Sequence, residues 1–474
     1  MGKVQIKLSR ELKILGLTID DKLTFNSHAV NVCRKALNLY KQLSTAAKIS
    51  WGLKPEIVRT IYTAVVEPVI MYASSAWAPA TNKLGIQKQL NVVQRGFAQK
   101  IVKAYRTVSL NSALALAGLL PLDIRIREAA YLYEHKKGYA PPALGDREME
   151  RPVPYVDSPH PAEQVDIEIG SVRDDAEMES YEAGHVRIFT DGSKIEGKVG
   201  AALSMWNGAA ETRTKKFKLE PFCTVFQAEL VALLGATKVA LENPAEECSI
   251  FCDSKSALDL VANASTLHPL AVEIRNNLKQ GTIQNKKIRL CWIKAHVGLE
   301  GNERADELAK DAALRLKTRP HYDKCPVSFA KRQIRKESIL EWDRRYGSEC
   351  VASTTKVFFP SAERAYKITR QIELDPILVQ VMTGHGGFSA YLNRFKCKEN
   401  PACICDPETE ESIIHLIIEC PVYCKLRMEL EIAINVNINK TNIASIMEDK
   451  AIRDKFLKFC KQIATRTIDR NKSD

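Results

Sequence analysis

Residues 186–193 read VRIFTDGS, a β-branched and aromatic run closed by a Gly turn, and residues 199–206, VGAALSMW, form a second apolar run. The pair predicts a hairpin with Asp191 near the end of its first strand. Downstream, from Gln227, Leu230, Leu233, Leu234 and Leu241 recur at three- and four-residue steps, which predicts a helix with Glu229 in its first turn. Residues 248–252 read as a buried strand delivering Asp253 at its carboxyl end, and a helix starts at Ser254. A further strand over 287–294 ends before His296, and Asn302 is expected to cap a helix that carries Asp306 one turn in. The predicted order is strand, strand, strand, helix, strand, helix, strand, helix. Carboxyl ends of strands are where mixed α/β sheets collect their chemistry.

Taken singly, Asp191, Glu229, Asp253 and Asp306 are ordinary: a strand-end Asp is mostly a turn residue and a helical Glu mostly a solvated one. Taken together they point elsewhere. Four converging carboxylates repel one another and persist where hard divalent cations sit between them. The pattern predicts a magnesium site that works on phosphate. His296 lies in a loop with Gly298 and Gly301, and an imidazole there can assist proton transfer or product departure.

TDGS, QAEL, CDSKSAL, KAHVGLEGNERAD and ELAK follow one another in order and spacing, and the segment from about Val186 to Leu314 resembles a type 1 ribonuclease H domain. The resemblance implies an α/β fold: a ribonuclease H-like mixed sheet with flanking helices. It also implies two Mg²⁺ ions per active site, bridged by Asp191 and held by Glu229, Asp253 and Asp306, with His296 as a further catalytic residue. The implied reaction is hydrolysis of the RNA strand of an RNA/DNA hybrid, leaving a 3′-hydroxyl and a 5′-phosphate, with the 2′-hydroxyl marking RNA. Two departures stand out. CTVF at 223–226 replaces the asparagines that bacterial relatives place before the catalytic helix, and residues 253–296 hold no Lys/Arg-Trp handle. Hybrid binding is therefore expected to lean on the flanking regions. A non-catalytic nucleic-acid-binding remnant is the alternative, and the intact carboxylates favour the enzyme.

With 474 residues the chain has room for about three domains, and 45% hydrophobic with 27% charged residues suits a soluble protein. No run approaches the roughly 18 apolar residues of a membrane span, and MGKVQIKLSR has no apolar signal core; an intracellular, soluble protein is expected. Thirteen cysteines, an odd number, do not make a disulfide scaffold. The net charge of +12 is uneven: residues 1–140 carry +13, residues 141–185 carry −9 and the remainder +8. This divides the chain into a module at 1–140, an acidic, solvated, Pro-rich linker at 141–184, the ribonuclease H-like domain at 185–316 and a C-terminal region at 317–474. The basic parts suit a polyanion, either the hybrid or RNA or DNA.

The first module reads as mainly helical, with helices over 28–43 and 55–72, one strand over 12–19 and a turn at Asp20 and Asp21. KILGLTIDDKLTF, GLKPEIVRTIYTAVVEPVIMYASSAW, LNVVQRGFAQKIVKAYRT and LAGLLPLDIRI resemble the thumb region that follows the palm in non-LTR retrotransposon reverse transcriptases. No YADD-like pair is present, so no DNA synthesis is expected from this chain. At the other end, Cys403, Cys405, His415 and Cys420 make a CCHC set suited to tetrahedral Zn²⁺, with Cys397 and Cys424 as spare ligands. The surrounding TGHGGFSAYLNRF and HLIIECP resemble the cysteine-rich end of the same polyproteins, a small Cys/His module assigned to nucleic-acid contact. His385 reads as a turn residue.

Overall fold

The computed structural model describes residues 9–47, 52–139, 144–157, 160, 166–172, 177–178, 186–295, 298–348 and 351–473. They fold as two compact units: residues 134–333, and residues 1–133 together with 334–474.

The central unit is built on a six-stranded sheet. In chain order its strands are β1 (Ile169–Val172), β2 (Val186–Ile195), β3 (Lys198–Asn207), β4 (Ala210–Leu219), β5 (Glu247–Cys252) and β6 (Lys287–Ile293). They lie in the order β1-β6-β5-β2-β3-β4. β2, β3 and β4 form an antiparallel meander, while β1, β6, β5 and β2 run parallel. Four helices accompany them: α1 (Val225–Glu242), α2 (Lys255–Ala262), α3 (Pro269–Ile283) and α4 (Glu300–Arg315). Two helices, not one, thus separate β5 from β6.

Strand parity sends alternate residues to opposite faces. Ile188, Leu203 and Ile250 join Leu230, Leu233 and Ile274 of α1 and α3 in one core. Phe189 and Phe251, opposite each other in register and stacked at 5.0 Å, belong to a second core with Ala305 of α4. Helices on both faces explain why β2 is buried over its first seven residues.

The stretch expected as a solvated linker instead contributes structure. Ile169 to Val172 pair in parallel with Leu290 to Ile293 as an edge strand. Met149 bridges to Cys325, with the Glu150 N–H donating to the Cys325 carbonyl at 2.9 Å and the Cys325 N–H to that of Glu148 at 2.7 Å. Backbone pairing is indifferent to side-chain charge, and an edge strand needs a partner on one side only, so acidic composition did not prevent it.

The second unit opens with a hairpin where a single strand was expected. Glu11–Ile14 pairs with Leu17–Asp20 across a turn in which Leu15 and Gly16 take φ of 45° and 88°, the left-handed pair that a two-residue hairpin loop requires. The Asp20 carboxylate then accepts from the backbone N–H of Thr24 and Phe25. Helix Asn26–Ala46 matches expectation. The helical run from Pro55 to Met71 widens to a π segment at Tyr62–Val66, just before Pro68, which has no N–H to offer the ladder.

Segments from both ends of the chain share one core here: Tyr62, Trp77, Phe97 and Leu116 cluster with Phe358, Phe388, Phe456 and Ile463. The modules at 1–140 and 317–474, expected to be separate, are largely one body. Charge reinforces the union. Asp123, 2% exposed, accepts from Arg345 at 2.7 Å, and Arg335 forms an ion pair with buried Glu128 at 2.7 Å. Phe456→Ala is expected to lower the unfolding free energy by about 3–5 kcal/mol in denaturant titration, the usual consequence of truncating a buried aromatic ring; a loss under about 1 kcal/mol would mean that the shared core is loose.

Candidate active site

One strand register and two packed helices position the carboxylates. The parallel ladder between β2 and β5 ends at Thr190 opposite Cys252, so Asp191 and Asp253 are the next residues on neighbouring strands, about 5 Å apart by strand spacing. Asp191 shares the parity of Phe189 and so faces the α4 side, where Asp306 sits. Glu229 comes from the first turns of α1, which press directly on β2: a Cβ on Gly192 would lie 2.5 Å from the Glu229 nitrogen. On the other face a Cβ on Gly200 would lie 2.5 Å from the Ala309 carbonyl oxygen, so α4 also needs a bare backbone beneath it.

The electrostatics follow from this crowding. Asp191 is 8% exposed, and its Oδ2 has no hydrogen-bond partner. Burial, then the charges of Asp253 and Asp306, push its carboxyl up to about 7, with Lys310 pulling the other way. Glu229, 6% exposed, is pushed well above its usual range by burial and then by Asp191 and Asp253. Lys310 donates to Asp306 Oδ2 at 2.6 Å. Ligand atoms of Glu229, Cys252 and Asp253 lie within 4.8 Å of one another, and the Cys252 thiol donates to Glu229 Oε2 at 3.9 Å. A set of hard oxygen donors with an orphaned, buried Asp191 oxygen fits a divalent cation of the magnesium type. His296 lies outside the described residues.

The expected Asn302 cap is not formed. Helix α4 begins at Glu300, after Gly298 (φ 85°) and an extended Leu299, so Asn302 falls inside the first turn with its Oδ1 unpartnered. The cap of α1, by contrast, went unread although its signal is local. Thr224 and Gln227 form a reciprocal capping box, the T-x-x-Q pattern visible in TVFQ.

Glu150 was missed for a different reason: nothing near it in the chain marks it. Its carboxylate accepts from Gln227 Nε2 at 3.0 Å and Tyr322 Oη at 2.5 Å, and lies 3.2 Å from His268 Nε2. Burial alone would raise it, but hydrogen bonds from His268, Gln227 and Tyr322 outweigh that and hold it below the usual carboxylate range. One acid therefore ties the segments before and after the sheet to the start of the helix bearing Glu229.

In the other unit, Cys403, Cys405, His415 and Cys420 converge, with one ligand atom each within 4.8 Å of the rest. Cys405 Sγ lies 3.2 Å from His415 Nε2, and Cys403 Sγ 3.8 Å from Cys420 Sγ. Cys403 sits on the short strand Ala402–Cys403 and His415 on helix Ile413–Ile418, capped by Ser412. Desolvation and then the thiols of Cys403 and Cys420 push Cys405 up to about 12. The spare candidates Cys397 and Cys424 are exposed and stand outside this cluster. His385 follows a left-handed Gly384, as a turn residue does.

The sequence model of the ribonuclease H family matches residues 183–314. Among individual proteins, the chain is 29% identical over 141 residues to a retrovirus-related Pol polyprotein from the type-1 retrotransposable element R1 4 of Nasonia vitripennis, covering 29% of this chain and 35% of that protein. It is 25% identical over 130 residues to a putative 115 kDa protein in type-1 retrotransposable element R1DM of Drosophila melanogaster, covering 27% and 13%. The chain thus spans about a third or less of these relatives. A ribonuclease H of Campylobacter jejuni is 28% identical over 152 residues, 28% of this chain and 93% of that enzyme. Residues 183–314 belong to the ribonuclease H family, in a chain that resembles the C-terminal part of a retrotransposon polyprotein.

Proposed function

We propose that the chain hydrolyses the RNA strand of RNA/DNA hybrids as part of a retroelement's reverse-transcription machinery. What supports this reading is the charge coupling of Asp191 to Asp253 and Asp306 and of Glu229 to Asp191 and Asp253 within a ribonuclease H segment, with the Asp191 oxygen buried and unpartnered. Those four residues would hold Mg²⁺, two ions per site. When bound, the metal supplies an activated water and stabilises the leaving oxygen. Asp191 and Glu229 set the depth of the site from strand and helix, Asp253 and Asp306 close it from two further elements, and Lys310 keeps Asp306 in place. His296 would assist proton transfer or product departure. The 2′-hydroxyl selects the RNA strand. The chain carries no polymerase centre of its own in this reading. Cys403, Cys405, His415 and Cys420 would hold one Zn²⁺, closed by four protein ligands and therefore structural.

Three measurements test these assignments. Asp253→Asn is expected to reduce Mg²⁺-dependent cleavage of a labelled hybrid by at least about 100-fold, the scale on which losing one charge-stabilising group acts; cleavage at the wild-type rate would remove Asp253 from the site. In EDTA, Asp191 keeps its proton up to pH about 7 when folded but only to about 3.9 when unfolded. Its contribution to stability is whole below pH 4 and is lost as pH rises through 7. The melting temperature of the wild type relative to Asp191→Asn should therefore fall between pH 4 and 8, and Mg²⁺ should restore it at pH 8. A difference flat with pH and Mg²⁺ would contradict the cation site. Elemental analysis of the purified chain should find close to one zinc, lost in Cys403→Ser/Cys420→Ser; a wild-type chain that is folded and zinc-free would end the zinc assignment.

A further inference from the structure

The unit that joins the two chain ends carries a surface built from residues outside the proposed cleavage site. Residues 91–112 hold Arg95, Lys100, Lys103 and Arg106 with no acid, and residues 384–400 hold Arg394, Lys396 and Lys398 with one acid, Glu399. The fold brings the two segments together around Tyr391. Its hydroxyl meets Thr107 Oγ1 at 2.8 Å, and His385 Nδ1 meets the same oxygen at 3.0 Å. Three rings surround it, with centroids at 6.4 Å for Tyr105, 4.8 Å for Phe395 and 5.0 Å for His385. Beside them opens a cavity of 450 Å³ whose lining includes the hydroxyls of Thr107, Ser109, Ser353 and Thr354 with His385 and Arg394.

A purely structural aromatic seam would be buried. Here Tyr105 is 37% exposed and Phe395 42% exposed, within a strongly cationic neighbourhood. Stacked, half-exposed rings among arginines and lysines are what single-stranded nucleic acid recognises: bases stack on the rings while cations and hydroxyls meet the phosphates. A duplex has no free base faces to offer, and an acidic peptide has none at all.

We propose that Tyr105, Tyr391 and Phe395, with Arg394 and the adjoining hydroxyl-lined cavity, form a binding site for single-stranded nucleic acid. It shares its class of partner with the cleavage reading but stands on residues of the other unit, so either can fail alone.

The test is fluorescence anisotropy of the full chain with a labelled 12-nucleotide oligo(dT), without added Mg²⁺ so that hydrolysis plays no part. Tyr105→Ala/Phe395→Ala is expected to weaken binding roughly 10-fold or more, with stacking at two positions lost, and Arg394→Glu to weaken it and flatten its salt dependence. Phe395→Trp should show indole quenching on oligo(dT) addition beyond that of the five native tryptophans, a readout that needs no destabilising change. Unchanged affinity in the double variant, an unquenched Trp, or tighter binding of a 12-base-pair duplex than of oligo(dT) would each overturn the proposal.

Discussion

Mutual repulsion among buried carboxylates is the constraint around which the central unit is arranged. A cation-free cluster opposes its own assembly, and the Asp191 carboxyl, desolvated by burial and then faced by Asp253 and Asp306, holds its proton up to about 7. The scaffold must therefore be strong enough to keep like charges together. It does so with two apolar cores, one on each face of the sheet, and with glycines at 192 and 200 that let α1 and α4 lie against bare backbone. The register in which Thr190 pairs with Cys252 is decisive, because a slip by one residue would turn Asp191 or Asp253 to the opposite face.

The same unit is knit to its flanks by polar contacts. The Glu150 carboxylate binds the capping residue Gln227 of α1 and also Tyr322, beyond the family segment, while the Gln227 side chain completes the cap with Thr224. Helix start and connectors thus share one buried hydrogen-bond network, in which a donor or acceptor left without a partner costs about 1–3 kcal/mol. The segment matched by the family, 183–314, is in that sense shorter than the body that supports it. In the other unit the chain ends meet across a shared core and across the ion pairs of Asp123 and Glu128, both carboxylates being buried.

What could be read from the sequence was what local pattern encodes. The period-two run at 186–193, the leucine spacing after Gln227 and the apolar stretch at 248–252 located the elements that carry Asp191, Glu229 and Asp253. Contacts between distant segments could not be read that way. β1 lies in an acidic stretch because its pairing with β6 uses only backbone groups. Glu150 looks like any other acid of that stretch until the fold places it beside Gln227. The ends of the chain differ in charge from the middle and so looked like separate modules, whereas their apolar faces complete one another. Asn302 was misplaced because the left-handed turn at Gly298 starts α4 three residues earlier than an Asn302 cap would. For the cysteines, spacing supplied the candidates, and three-dimensional proximity singled out Cys403, Cys405, His415 and Cys420 from them.

Anomalous scattering from crystals soaked in Mn²⁺, a hard cation of similar ligand preference to Mg²⁺, tests the central claim most directly. The account predicts peaks among Asp191, Glu229, Asp253 and Asp306 in the wild type, two when a hybrid is bound, and their loss in Asp191→Asn. Fully occupied crystals with no peak at these four residues, or a peak that persists in Asp191→Asn, would contradict it.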